Sequence, residues 1–168
     1  MSNLVFLGII AVCLTYPCTT GAAFCSQYLT KVGGNGGGAF DESSLSSNGD
    51  ITAIQVECGN VFTSIKVKYG STWGTKHGWG ASHCSNYFTR GNQTTYTLED
   101  GEYITGATIT HNAYVNSIIF KTNKRNFAKC GWSTGAKSTT ITGRHLKYIN
   151  GRSGCIVDSL SLYWPQWS

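Results

Sequence analysis

Two prolines, one methionine and a charged fraction of 12% are what this chain of 168 residues has least of. So few prolines exclude a proline-rich spacer, and a single methionine excludes a methionine-lined docking groove. No two cysteines stand at C-x2-C spacing, so a zinc knuckle has no ligand frame and no metal is expected. Beyond residue 14 no apolar run approaches the length that crosses a bilayer as a helix. The length suits one domain, and an apolar fraction of 40% is enough for a core rather than a disordered chain.

What the chain does have is glycine, 21 residues of it, with nine tyrosines, seven phenylalanines and five tryptophans. Turn formers mixed with large flat side chains point to many short strands. Ile51–Cys58 is apolar on both faces, as an interior strand is. Ile65, Val67 and Tyr69 alternate with Ser64, Lys66 and Lys68, a half-buried strand with its lysines to solvent. Further strands are predicted at Thr95–Leu98, Tyr103–Thr110, Tyr114–Lys121, Thr139–Thr142, Leu146–Ile149 and Cys155–Tyr163. No window carries helical spacing, so an all-β sandwich, barrel or prism follows.

Leu4 to Leu14 is almost wholly apolar, too short to span a membrane, and is followed by the small residues Thr19, Thr20, Gly21, Ala22 and Ala23. This is the pattern of a secretory signal peptide, residues 1–23, cleaved after Ala23, which makes the protein secreted and extracellular. Removal takes Cys13 and Cys18 and leaves Cys25, Cys58, Cys84, Cys130 and Cys155, an odd number. Two disulfides and one leftover thiol are expected, with fifteen pairing schemes open, and the odd thiol could join two chains in a homo-oligomer. Asn92-Gln93-Thr94 is an N-glycosylation sequon in a polar stretch. Gly70–Gly91 is the least regular stretch; its His77 and His83 are expected at the surface and its Cys84 in a disulfide.

Two segments carry a resemblance: GGNGGGAFDE at Gly33–Glu42 and GRSGCIVDSLSLYW at Gly151–Trp164. With Gly101–Asn123 between them, whose S-x-x-F-x-T-N strand also fits, they resemble the jacalin-related lectins, most closely the secreted animal zymogen-granule branch. The resemblance spans about Lys31 to Trp164 and makes residues 24–168 one lectin domain. It implies a β-prism of three four-stranded Greek-key sheets with pseudo-threefold symmetry, in which both chain ends share one sheet. It further implies a carbohydrate site where Gly37 meets Asp158, with Gly154, Cys155 and Ile156 offering backbone N–H groups and Asp158 accepting from sugar hydroxyls. Asn112 and Tyr114, in a third loop, would line one side. The residue types suit that chemistry, because glycines let backbone approach a ligand and a carboxylate accepts strong charge-assisted bonds.

Galactose-specific relatives need a chain cut before the glycine matching Gly37 and an aromatic in the C-terminal loop. Here Phe24–Gly36 precede that glycine and the loop holds Cys155 and Ile156, so glycans or glycoproteins of the mannose or glucose type are the expected ligands, bound without cofactor. The net charge of +5 concentrates in Lys121, Lys124, Arg125 and Lys129, with Arg144, Lys147 and Arg152 following. A basic surface including Lys121, Lys124, Arg125 and Arg152 could hold sulfated polysaccharide, which is the alternative reading: a structural or matrix protein. Nucleic acid is not expected, since no recognition helix exists. Nor is an enzyme, since Asp41–Glu42 and Glu99–Asp100–Glu102 read as turn and cap carboxylates.

Overall fold

The computed structural model describes residues 25–27, 31–79, 84, 88–132 and 136–166; the expected signal peptide lies outside them. The strands are β1 Cys25–Gln27, β2 Val32–Gly33, β3 Gly38–Asp41, β4 Ile51–Cys58, β5 Phe62–Tyr69, β6 Thr72–Trp73 and β7 Asn92–Thr97. They continue with β8 Ile104–His111, β9 Val115–Thr122, β10 Cys130–Gly131, β11 Lys137–Thr142, β12 Tyr148–Ser153 and β13 Val157–Gln166. A short 3-10 helix, Ser43–Asn48, follows β3.

These strands form three antiparallel sheets. Two have the orders β6-β5-β4-β7 and β10-β9-β8-β11, in which three consecutive strands are followed by a fourth that returns beside the first. That is a Greek key. The remaining sheet runs β1-β13-β12-β3, with β2 also on β13; β1 pairs with Gln27↔Trp164 and its neighbours while β2 pairs at Ser159 and Leu160, so the two are pieces of one edge. Counted so, each sheet has four strand positions in the same order, and the chain ends meet in one of them. The expectation of an all-β prism with three similar faces holds.

The side chains turned inward from all three sheets fill one core. Ile54, Ile65 and Val67 come from one face, Ile109, Ile118 and Phe120 from the next, and Ile149, Leu160 and Leu162 from the third. β-branched residues dominate because they suit a pleated, two-sided surface. Lys66 and Lys68 are half-buried rather than free, lying 5.4 and 5.9 Å from the Trp73 ring. In β4 the register shifts between Ile51 and Ala53, and both faces are covered: Ala53, Ile54, Val56 and Glu57 are all buried.

β12 departs from its predicted span. The sequence pointed to Leu146–Ile149, whereas the strand runs through Gly151 to Ser153, because that backbone has a partner on either side, Leu160 of β13 and Phe40 of β3 at Gly151. Two ladders outweigh glycine's poor strand propensity. Leu146 instead plugs the core ahead of the strand.

Two disulfides form among the described residues. Cys58–Cys130 ties β4 to β10 across two faces, and Cys84–Cys155 ties the irregular connection to the bend before β13. Each spans about 70 residues, a span over which loop closure contributes roughly 4 kcal/mol. The side chain of Cys25 lies outside the described residues.

Leu160 is fully enclosed at the centre of the prism. Leu160→Ala should lower the free energy of unfolding by about 3 kcal/mol, read from urea midpoints at constant slope; a loss below about 1 kcal/mol would mean that the prism closes around the gap.

Candidate functional site

The sheet that holds both chain ends also positions the loops of interest. Because β3 pairs with β12 up to Gly38↔Ser153, and β2 pairs with β13 at Gly33↔Ser159, the Gly33–Gly38 loop and the Gly154–Ile156 bend leave the sheet side by side. The N–H of Gly34 donates to the Asp158 carbonyl at 2.8 Å. The Asp158 carboxylate then lies over the loop, so that a Cβ on Gly36 or Gly37 would overlap its oxygens. Gly37 also has φ +59°, a conformation that side-chain-bearing residues rarely adopt. No other residue type fits there.

Arg152 fixes the same loop from the other side. Its Nε donates to the Gly36 carbonyl at 2.8 Å and its Nη2 to the Gly37 carbonyl at 2.6 Å. Burial raises the pKa of Asp158 above the usual aspartate value, while the Gly154 N–H and the nearby Arg152 charge pull it back. An aspartate pKa raised by folding contributes stability in acid that is lost as pH rises, so at neutral pH this carboxylate works against folding.

Of the residues singled out in the sequence, Gly37, Gly154 and Asp158 converge: a Cβ on Gly154 would sit 3.4 Å from the Gly37 Cα and 3.7 Å from Asp158 Oδ2. The N–H of Gly154 donates to the Ile156 carbonyl at 3.0 Å while also acting on the Asp158 carboxylate, and the Ile156 side chain is 2% exposed. Cys155 is half-buried and bridged to Cys84, and its carbonyl accepts the Trp79 N–H at 3.0 Å. The hairpin Asn112–Tyr114, closed by the Asn112 N–H on the Tyr114 carbonyl, brings the Ala113 carbonyl against Gly34. Asn112 is exposed and Tyr114 half-buried.

The contacts close into a ring. Tyr114 meets Phe88 edge-on at 5.8 Å between centroids, the Phe88 N–H donates to the Cys84 carbonyl at 3.1 Å, and Cys84 is bonded to Cys155, three residues before Asp158. Sequence reading missed Phe88 and Trp79. The one available signal was Cys155 itself, which demanded a partner without saying which.

Two buried carboxylates pin the rest of the connection. Glu57 accepts Lys76 Nζ at 2.7 Å and Arg90 Nε at 2.6 Å, and although burial alone would raise its pKa, these two partners hold it below the ordinary value. Glu42 accepts the Tyr69 hydroxyl at 2.7 Å and contacts His77 Nε2 at 2.9 Å; burial and the facing carboxylate push Tyr69 above the usual phenol range. The expectation of a surface His77 is therefore corrected: it is 8% exposed, stacked on Phe40 and paired with Glu42. His83 lies outside the described residues. The reading of Glu42 as a turn carboxylate fails for the same reason.

The basic residues are largely engaged. Arg125 grips the buried Glu102 through Nε at 2.9 Å and Nη2 at 3.0 Å, so Glu102 is no mere turn carboxylate either. Lys124 reaches Glu99 at 3.2 Å and the Asp100 carbonyl at 2.8 Å. Lys121 is six residues along β9 from Val115, about 20 Å at strand rise, so this cluster sits at the opposite end of the prism from the loops. Asn92 is exposed at the start of β7, where a glycan would meet no obstacle from its own burial.

A shallow depression of about 380 Å³ lies on the outer face of the chain-end sheet, lined by residues including Lys31, Phe40, Asn150 and Arg152 but not Asp158. The loops are the better candidate, since they combine a half-buried carboxylate with tightly approaching backbone. Among the described residues no three His, Cys, Asp or Glu side chains converge as a metal centre requires. Gly131–Gly135 spells G-x-S-x-G, and its Ser133 lies outside the described residues. The loops can bind and orient a neutral polyhydroxylated ligand, with acceptors from Asp158 and donors from backbone.

Comparison with known proteins agrees with this chemistry. Residues 29–163 match the family model of the jacalin-like lectin domain. Zymogen granule membrane protein 16 of Mus musculus is 29% identical over 145 residues, covering 83% of this chain and 80% of its own. Griffithsin, from a Griffithsia species, is 34% identical over 138 residues, covering 82% and 96%. Among solved structures, a mannose-specific jacalin-related lectin from Morus nigra in complex with mannose superposes with TM-score 0.66 at 20% identity, over 88% of this chain and 99% of that one.

The isosteric Asp158→Asn removes a charge that burial disfavours, so its melting temperature at pH 7 should equal or exceed the parent's. A drop of more than a few degrees would make the carboxylate structural. Glu102, held down to about 2 mainly by Arg125 against its burial, is charged in the folded state where the unfolded chain has taken up a proton. Stability should therefore fall as pH drops from about 4.5 towards 2, and Arg125→Ala should flatten that slope in acid-unfolding curves.

Proposed function

Since the chain belongs to the jacalin-like lectin family, whose members bind carbohydrate rather than transform it, we propose that it is a secreted lectin for glycans of the mannose or glucose type. The ligand is held without metal at the Gly33–Gly38 and Gly154–Asp158 loops. One observation carries the reading: the half-buried Asp158 carboxylate is seated on the Gly36–Gly37 backbone, where the two loops meet.

In this mechanism Asp158 accepts hydrogen bonds from two adjacent sugar hydroxyls, and the backbone N–H groups of Gly37, Cys155 and Ile156 donate to sugar oxygens. Ionised acceptors give roughly twice the strength of neutral ones. Arg152 holds the loop's carbonyls on the far side, which keeps the loop's conformation set before the ligand arrives and lowers the ordering cost of binding. Asn112 and Tyr114 flank the site beyond Ala113.

Several features support the finer reading. Cys155 is committed to a disulfide and Ile156 to the interior, which leaves this loop no aromatic platform for a galactose-type ligand. The mannose-bound Morus nigra lectin shares the fold. Secretion is supported by the apolar run Leu4–Leu14, by two disulfides and by relatives whose name places them at zymogen granules. N-glycosylation at the exposed Asn92 accords with that route. The engagement of Lys124, Arg125 and Arg152 by internal partners weighs against sulfated polysaccharide as the main ligand.

A single shallow site should bind methyl mannoside with a Kd of roughly 1 mM, about 4 kcal/mol, and dense glycans would gain by multivalency. Isothermal titration and a glycan array at two salt concentrations test this. Salt-resistant binding, competed by methyl mannoside and lost in Asp158→Asn, is expected; binding restricted to sulfated glycans, lost in salt and indifferent to Asp158, would overturn it.

A further inference from the structure

The family reading accounts for three loops at the site. Three further residues border the ring, Trp79, Cys84 and Phe88, which belong to the connection between β6 and β7 on a different face of the prism. They are fastened there by unusual means: the Cys84–Cys155 bridge, the Trp79 N–H on the Cys155 carbonyl, and the Tyr114–Phe88 contact. Trp79 adopts φ +47°, a left-handed conformation that costs a bulky residue energy and that clusters at binding sites. No core demand explains it, because Trp79 is only half-buried.

From this placement, and resting on the lectin reading above, we propose that Trp79 and Phe88 form a second saccharide subsite that takes the next sugar of an oligosaccharide whose terminal unit sits on Asp158. The chemistry fits. A pyranose carries hydroxyls around its rim but presents apolar C–H faces, and an aromatic ring buries such a face without needing further hydrogen-bond partners. The primary subsite supplies polar bonds and little apolar area; the wall beyond Cys155 supplies the opposite. A second unit linked to the first reaches that wall at high effective concentration.

The prediction is a difference between ligands. The native protein should bind a mannotriose at least about tenfold more tightly than methyl mannoside, a gain of about 1.4 kcal/mol. Trp79→Ala and, separately, Phe88→Ala should bring the ratio of the two affinities towards one, with native near-ultraviolet dichroism and melting temperature showing that each variant is folded. Titration with trisaccharide should also shift tryptophan fluorescence in the native protein, and that shift should be absent in Trp79→Ala. A native ratio near one would overturn the second subsite while leaving the lectin reading intact. So would a high ratio that survives both substitutions. If it falls instead in Trp132→Ala, the extended contact lies at the 70%-exposed Trp132 beyond β10, again against the proposal. Absence of binding to both sugars would instead overturn the lectin reading and the subsite with it.

Discussion

The close seating of the Asp158 carboxylate on the Gly36–Gly37 backbone is the constraint on which the rest of the site depends. It requires glycine at both positions, it requires the two loops to leave the sheet together, and it needs the backbone carbonyls on the other side held, which Arg152 does. The β3–β12 and β2–β13 ladders deliver the loops to within that tolerance. Without the Greek-key return of both chain ends to one sheet, residues more than a hundred positions apart would have no means of meeting.

A second set of constraints acts on the described residues between β6 and β7, which are held by side-chain chemistry: Glu57 with Lys76 and Arg90, Glu42 with His77, and a disulfide at Cys84. Buried carboxylates of this kind are expensive unless fully partnered, and each here has two or more partners. These partners fasten Lys76, His77, Cys84 and Arg90 to the prism.

Much of this was legible in the sequence. The strands β4, β5, β8 and β9 announce themselves through β-branched alternation bounded by glycine and asparagine, and the meeting of Gly37 and Asp158 is implied by the family resemblance that the Gly-rich segment near one end and GRSGCIVD near the other carry. The misreadings share one cause. Local patterning reads Glu42 and Glu102 as turn and cap carboxylates and His77 as a surface group because nothing in it says that a charged residue has a distant partner; Tyr69, Arg125 and Glu42 itself lie many residues away from those they bury. Likewise β12 was cut short because glycine discourages a strand locally, whereas two flanking ladders decide the matter globally. The cysteine count fixed that one thiol would be odd but held no pairing information. The roles of Arg152 and Trp79 depend on backbone atoms of other loops, which no side-chain pattern encodes.

The account's central claim is that ligand hydroxyls meet the Asp158 carboxylate and the backbone of its two loops, and amide chemical shifts report that directly. In a ¹⁵N-labelled sample titrated with methyl mannoside, the largest saturable changes should fall on Gly36–Gly38 and Gly154–Asp158, with the amides of Lys121–Arg125 unmoved. Changes centred on Lys121–Arg125, or on the outer sheet face around Asn150, with the two loops silent, would contradict it.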